Sequence, residues 1–292
     1  MDTCKLRGRL PYPFKKIGVL LTFSAGMEEI LAEAGYLAKI FGARLLLIHS
    51  GKQTLKLTTS LDEIYERSGI NLRETTMVWF EGDPVKTLLE ICKEHSVDLL
   101  ILETIRRERV LRHYLGSVTR GMSRSAKCSL LLLTEPTTRG TTFKKIVVSG
   151  ISHPKTPLTL STAVYFAKHI GADDVAVVKE FDQPALSMAS AYTSTTNDST
   201  ILRKQIENDE IKKIHDIVSR CNSDEIKITE EILFGRQGYT IRQYARNCNA
   251  DLLVINSPDA KYGIIDRIFT HDMEYILEDL PCNVLIVHSR IS

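Results

Sequence analysis

The chain has 292 residues, 43% hydrophobic and 25% charged, with a net charge of +2. That length suits two ordinary domains of about 100–200 residues each, and the composition is that of a folded globular protein and not of a disordered one. A balance so near neutral gives no global attraction to nucleic acid or acidic membranes, so any such role would have to rest on local charge.

The N-terminal stretch MDTCKLRGRLPYPFKK lacks the apolar core of a signal peptide. The apolar run Ile17–Phe23 is too short to cross a bilayer. A cytoplasmic location is the expectation. The six cysteines form no CxxC pair, and most fall inside strand or helix patterns, which reads as free thiols and no zinc site.

In chain order, Ile17–Thr22 is a continuous apolar run, as in a strand buried on both faces. Met27, Ile30, Leu31, Ala34, Leu37, Ala38 and Phe41 recur at steps of three and four, which predicts an amphipathic helix closed by Gly42. Arg44–His49 is a strand, Leu61–Arg67 a short helix and Glu74–Phe80 a strand. Asp83-Pro84 is an N-cap with proline at the first helical position, and Leu88, Leu89 and Cys92 mark that helix's apolar face. Val97–Leu102 is a strand, Ser117–Ala126 a helix and Cys128–Leu133 a strand.

The order then repeats. Phe14-Lys15-Lys16-Ile17 returns as Phe143-Lys144-Lys145-Ile146 at an offset of 129, and Gly42 returns as Gly171. The Val97–Leu102 strand returns as Ala250–Ile255 at an offset of 153, so the second copy carries about 24 extra residues. Those residues fall in the Ser/Thr-rich stretch 182–200, read as an exposed loop, and in a long polar helix over 201–220. Ile226–Phe234, Thr240–Cys248, Asp251–Ile255, Ile264–Leu277 and Cys282–His288 complete the second copy. Residues 1–136 and 141–292 are the expected domains.

Alternating strands and helices imply a parallel sheet covered on both faces, with ligands beyond the carboxyl ends of the strands. The apolar last strands, Leu130–Leu133 and Val284–Val287, would be edges, and edges of this kind invite pairing with each other. Asp98 and Asp251 stand at the same place before a strand, which points to a turn role and not to acid–base work.

This succession of FKKI strand, helix ending in Gly-Ala, F-x-G-D-P, V-D-L-L-I, G-S-V and a final C-x-apolar strand resembles the universal stress protein family, over both copies. The resemblance implies two Rossmann-like (adenine nucleotide alpha hydrolase-like) domains, each a five-stranded parallel sheet flanked by helices, paired as a pseudo-twofold dimer through their last strands. It also implies, in one branch of the family, ATP or AMP bound by G-x-x-G, nine residues, then G-[ST]. In the first copy those positions are Glu103, Arg106, Gly116 and Ser117; in the second they are Asn256, Asp259, Phe269 and Thr270. The family's aspartate after the first strand is replaced by Thr22 and, in the second copy, by Ser149.

The candidate nucleotide set is therefore Thr22, Phe23, Ser24, Ile48, Arg106, Gly116, Ser117 and Val118 in the first copy. In the second only Ser149 and Thr270 remain, and ATP binding in the family's manner is not expected there. Ser117 and Thr270 are also natural N-caps.

Arg106, Arg107, Arg109, Arg112, Arg120, Arg124 and Lys127 face one acid, Glu108. They read either as an anion site with Gly116-Ser117 or as a solvated basic face balanced by acidic helices elsewhere. No aromatic residues interleave the arginines, which argues against nucleic acid. His49, His113 and His288 read as structural, and no Ser-His-Asp order, HExxH or Walker A motif is present.

The expected function is a stress-response regulatory protein acting by binding unknown protein partners, tuned by an adenine nucleotide in the first domain only, with no turnover and no metal. The alternatives are an ATP-binding protein with slow hydrolysis at Gly116-Ser117, or a structural interaction module with both sites lost. Two chains associating as a homodimer is a further expectation.

Overall fold

A computed structural model of the chain describes residues 10–24, 26–55, 57–59, 61, 63, 70, 75–107, 112–138, 143–181, 196–221, 226–258 and 273–289. The first half runs β1 (Lys16–Leu21), α1 (Met27–Phe41), β2 (Arg44–Ser50), β3 (Thr75–Phe80), α2 (Pro84–Glu94), β4 (Leu99–Glu103), β5 (Ile105–Arg107), β6 (Arg112–Tyr114), α3 (Ser117–Ser125) and β7 (Ser129–Leu133). The second runs β8 (Lys145–Ser149), α4 (Thr156–Ile170), β9 (Asp174–Phe181), α5 (Thr196–Val218), β10 (Ile228–Phe234), α6 (Tyr239–Asn247), β11 (Leu252–Asn256) and β12 (Asn283–Val287), with residues 273–278 also helical.

One ten-stranded sheet joins the halves in the order β10-β9-β8-β11-β12-β7-β4-β1-β2-β3. Every neighbouring pair is parallel except β12 with β7, which are antiparallel with Leu285 opposite Leu131. The two apolar last strands thus protect each other's edge, as expected from their composition. All five residues of β7 and of β12 are buried, because the seam lies mid-sheet with helices on both faces. Asn283 Oδ1 accepts from the Thr134 backbone N–H at 2.9 Å, and Ser129 Oγ accepts from the His288 N–H at 3.2 Å, tying the seam at its ends.

Helices α1, α4 and α5 cover one face, and α2, α3, α6 and 273–278 the other. The halves also meet off the sheet. Phe41 stacks on Tyr165, with ring centroids at 5.6 Å, while Tyr12 stacks on the same tyrosine at 4.7 Å. On the opposite face Glu274 accepts from Arg120 at 3.3 Å and from Arg124 at 2.8 Å.

Local expectations hold where local chemistry decides. Gly42 and Gly171 close α1 and α4 at φ +61 and +67, where a side chain would be strained. Asp83 caps α2 by accepting from Lys86 N–H at 2.7 Å. Asp98 accepts from the N–H groups of Lys15 and Lys16, and Asp251 does the same for Lys144 and Lys145, so both aspartates fasten the start of a neighbouring strand.

Other expectations change. The basic loop after β4 contains a hairpin, β5 with β6, pairing Arg106 with His113. Its four-residue connection, 108–111, lies outside the described residues, as do 139–142 of the linker, 182–195 of the expected loop and 264–272 of the expected final helix. The long polar helix begins at Thr196, inside the stretch read as loop. The short helix placed at Leu61–Arg67 starts by residue 55, and 64–69 lie outside the described residues. Among the described residues no helix is long and apolar enough to cross a membrane.

Candidate functional site

The loop after β1 turns sharply at the carboxyl end of the first half's sheet. Phe23 sits there at φ +49, a left-handed conformation that a bulky side chain rarely adopts. Its neighbours reach one carboxylate: Thr22 Oγ1 donates to Glu103 Oε2 at 3.1 Å, and Ser24 Oγ to the same oxygen at 2.9 Å. Glu103 is the last residue of β4, two strands pulled together by hydroxyl–carboxylate bonds. No cation pairs with Glu103 among the described residues. Its Oε1 lies against Gly26, where an added Cβ would stand 2.8 Å away.

Phe23 stands edge-on to His49 at 4.6 Å and stacks with Trp79 at 6.0 Å, and His49 meets Trp79 at 5.1 Å. His49 Nδ1 lies 2.9 Å from the carbonyl of Leu21. A carbonyl only accepts, so Nδ1 carries the proton. Three half-buried rings thus cluster at the ends of β1, β2 and β3, and the hydroxyls on either side of Phe23 reach the carboxylate at the end of β4.

The second half fills the same place with its own side chains. Pairing registers superpose Ile17 on Ile146 and Arg44 on Asp174, which puts Ile151 at Thr22, Lys155 at Gly26, Lys179 at His49, Ile232 at Trp79 and Asn256 at Glu103. Lys155 is fully buried, and its Nζ donates to Ser257 O and Oγ, each at 3.3 Å. Asn256, also fully buried, is bonded to the hydroxyls of Thr156 and Thr159. Ser257 Oγ lies 3.3 Å from His288 Nδ1. Lys179 Nζ donates to Ser152 Oγ at 2.7 Å and to Glu210, a residue of the inserted helix α5. Lys213 holds the other oxygen of Glu210 at 2.6 Å. Burial, and then Lys213 close by, pull the Lys179 ammonium below the ordinary lysine value.

The residues expected at the site are placed unequally. Thr22, Phe23 and Ser24 come together at Glu103. Ile48 is fully buried among the residues packed under α2, so the following residue, His49, is the one at the strand ends. Ser149 is a buried residue of β8 at the register of Leu20, so the true counterpart of Thr22 is Ile151. Gly116, not Ser117, is the N-cap of α3: Gly116 has the extended backbone a cap requires, at ψ 166, while Ser117 is already helical and makes no capping bond. Val118 packs on the core under α3. The side chain of Arg106 and all of Asp259, Phe269 and Thr270 lie outside the described residues. Arg120 and Arg124 serve the contact between halves, which is the balanced-charge reading of the basic cluster for those two residues.

The universal stress protein family model matches residues 50–134 and 142–288. The chain belongs to the universal stress protein family. Both halves carry it, as a tandem protein. Among solved structures the chain is similar to PA1789 of Pseudomonas aeruginosa PAO1, at 16% identity and TM-score 0.68, over 94% of this chain and 92% of that one. It is similar also to a universal stress protein from Archaeoglobus fulgidus DSM 4304, at 14% identity and TM-score 0.63, over 94% and 99%. No curated protein sequence gave a significant match. At these identities the likeness shows the fold.

Within this universal stress protein, the residue at the first glycine position of the nucleotide pattern is Glu103, and its carboxylate is locked toward the loop after β1. A glycine there would let backbone approach a phosphate; a carboxylate opposes one by charge. The repeat itself held the signal for what sequence reading missed. The 129-residue offset sets Lys155 over Gly26. Among the described residues no group of three or more His, Cys, Asp or Glu is placed to hold a metal ion.

Proposed function

We propose that this universal stress protein acts by binding, without turnover, and that its one competent ligand site lies in the first half. The observation that carries the reading is the contrast between the half-open Thr22, Phe23, Ser24, Glu103 end of the first half and the Lys155, Asn256, Ser257 interior of the second. In the second half the chain's own groups already take the positions a ligand would need. The inserted helix α5 adds Glu210 to that closure.

The ligand class that the family resemblance supports is an adenine nucleotide, with the rings of Phe23, His49 and Trp79 available to a base and Gly116-Ser117 at the start of α3. Glu103 weakens the phosphate end, so binding is expected to fall from adenosine to AMP to ATP. A thermal-shift titration tests this. A ligand at about 100 times its Kd adds about 2.7 kcal/mol of stability. Trp79 is the chain's single tryptophan, so its fluorescence reports on the first half alone. Stabilisation by a nucleoside together with a change in Trp79 emission supports the reading. Stabilisation that leaves Trp79 unmoved and vanishes in Lys155→Ala would place the site in the second half and overturn it.

A further inference from the structure

The duplicated halves also differ at the other end of their strands. At the amino ends of the first half's strands, Lys15, Lys39, Arg44, Lys93 and Lys127 are all exposed. Backbone hydrogen bonds bring their elements to one rim. Arg44 N–H donates to Lys15 O at 3.0 Å, joining the starts of β1 and β2, and Lys39 lies in the last turn of α1 just before them. Val97 N–H donates to Cys92 O at 2.9 Å, and Ser129 N–H to Asp98 O at 3.0 Å, which places Lys93 at the end of α2 and Lys127 ahead of β7. The strand order β7-β4-β1-β2 spreads these cations over three strand spacings, about 14 Å. Asp98 and Glu94 are the described acids of this rim, and Asp98 is engaged by the backbone N–H groups of Lys15 and Lys16. Beyond the described residues, the sequence adds Arg73 and Glu74 before β3, which cancel, and Lys5, Arg7 and Arg9 against Asp2 ahead of Leu10.

The second half is balanced at the same places. Asp174 stands at the register of Arg44, and Asp173 before it pairs at 3.3 Å with Lys144, the counterpart of Lys15. Arg246, the counterpart of Lys93, pairs with Asp279 at 2.7 Å, and Pro281 replaces Lys127. The near-neutral charge of the whole chain therefore conceals a basic rim confined to one half.

We propose that this rim is a docking surface for the phosphate backbone of a nucleic-acid duplex. Its width suits an extended polyanion and exceeds a single phosphate. Lysine is a strongly hydrated point charge, suited to phosphate and depleted in protein–protein interfaces. Leu10 is the one exposed large apolar side chain described on these elements, too little to enter a lipid surface. Tyr12 and Phe41 both stack on Tyr165, so the rings at this end are engaged within the protein, whereas binding of single strands relies on rings that stack bases. Contact with a duplex backbone needs cations alone. The surface lies at the opposite end of the strands from Thr22 and Glu103 and does not rest on the nucleotide reading.

The test follows the anisotropy of a labelled, mixed-sequence DNA duplex with the full chain, from about 50 to 200 mM salt. Saturable binding is expected, with a log–log salt slope of about −4 for four or five phosphate contacts. Lys15→Gln with Lys39→Gln should reduce that slope by about two and weaken binding about tenfold or more at the lowest salt. The matched second-half pair, Lys144→Gln with Lys168→Gln, removes the same charge and should leave both unchanged. All four side chains lie at the surface, and circular dichroism checks the folds; Lys127→Gln replaces either first-half change that disturbs the fold. No saturable binding, a slope near zero, or equal losses in the two pairs overturns the proposal. Tighter binding to oligo-deoxythymidine than to the duplex, or binding to phosphatidylserine vesicles in place of the duplex, also overturns it.

Discussion

The two halves share every strand of the sheet and differ at its carboxyl ends. In the first, Glu103 lies against Gly26, and three aromatic rings cluster at the ends of the neighbouring strands. In the second, Lys155 and Asn256 stand in their places, and Lys179 reaches Glu210 on an inserted helix. The difference teaches that a duplicated fold can keep its scaffold while its two copies place different polar groups at the same strand ends, buried in one and partly exposed in the other. In the second half a buried lysine with fixed acceptors takes the position; in the first the Glu103 carboxylate lies against the glycine.

The largest expected effect breaks the closure of the second half. Lys179 and Glu210 are almost buried, with side-chain exposures of 9% and 12%. Glu210→Ala strands the Lys179 ammonium, and removing one partner of a buried pair costs about 3–5 kcal/mol. Urea denaturation should show a loss of that order, with proteolysis at α5 preceding global unfolding. A loss below 1 kcal/mol would mean that α5 is not held by this pair.

Next is the pair Lys155 and Gly26. Lys155→Ala empties a fully buried volume, for which about 2–5 kcal/mol is expected. Gly26→Ala at the matching place has an ordinary backbone, φ −90 and ψ 10, and its added methyl meets the Glu103 carboxylate at 2.8 Å and Ser24 Oγ at 3.9 Å, so the carboxylate has to shift and a smaller cost, about 1 kcal/mol, is expected. Equal costs at the two positions, measured by the same denaturation, would remove the contrast between a buried lysine and a glycine at matching places.

Alkaline pH probes the halves through a matched pair of thiols. Cys128 is pushed well above the ordinary thiol value of 9.0 by its hydrogen bond with Cys92 and then by burial, and Cys282 is pushed up chiefly by burial. A raised folded pKa gives stability that is complete below the unfolded value and is lost as pH rises past it. Thermal unfolding should therefore move down above pH 9.0, by about 1 kcal/mol per group for each unit. In Cys282→Val the decline should be shallower. An identical slope in variant and wild type would remove Cys282 from the account.

The smallest effect concerns the contact between halves. Glu274→Gln removes ion pairs to Arg120 and Arg124, whose side chains are 35% and 50% exposed. Exposed pairs contribute about 0.2–1 kcal/mol and weaken with salt. A loss that vanishes in 1 M salt is expected in double-mutant cycles with Arg124→Gln; a large, salt-independent coupling would show that these charges hold the halves together.

Much of the fold was legible because short-range chemistry governs it. The two glycine caps and the Asp83 cap depend on neighbours within one turn. The seam between β7 and β12 was legible too, since two fully apolar edge strands have few other partners. Ser117 misled because a serine before a helical pattern favours the cap, while the backbone of Gly116 took that position. The β5–β6 hairpin was hidden by its arginines, which read as loop although the strand pairing is made by backbone.

The sequence by itself determined the duplication, the order of elements, the family and the loss of the family's early glycines. Only the tertiary structure decided what replaced them. Thr22 and Glu103 are 81 residues apart and Lys155 and Ser257 are 102 apart. At such separations each side chain reads as an ordinary surface polar group. Whether it becomes a buried hydrogen-bonding partner or a partly exposed carboxylate is set by which strand ends the sheet brings side by side.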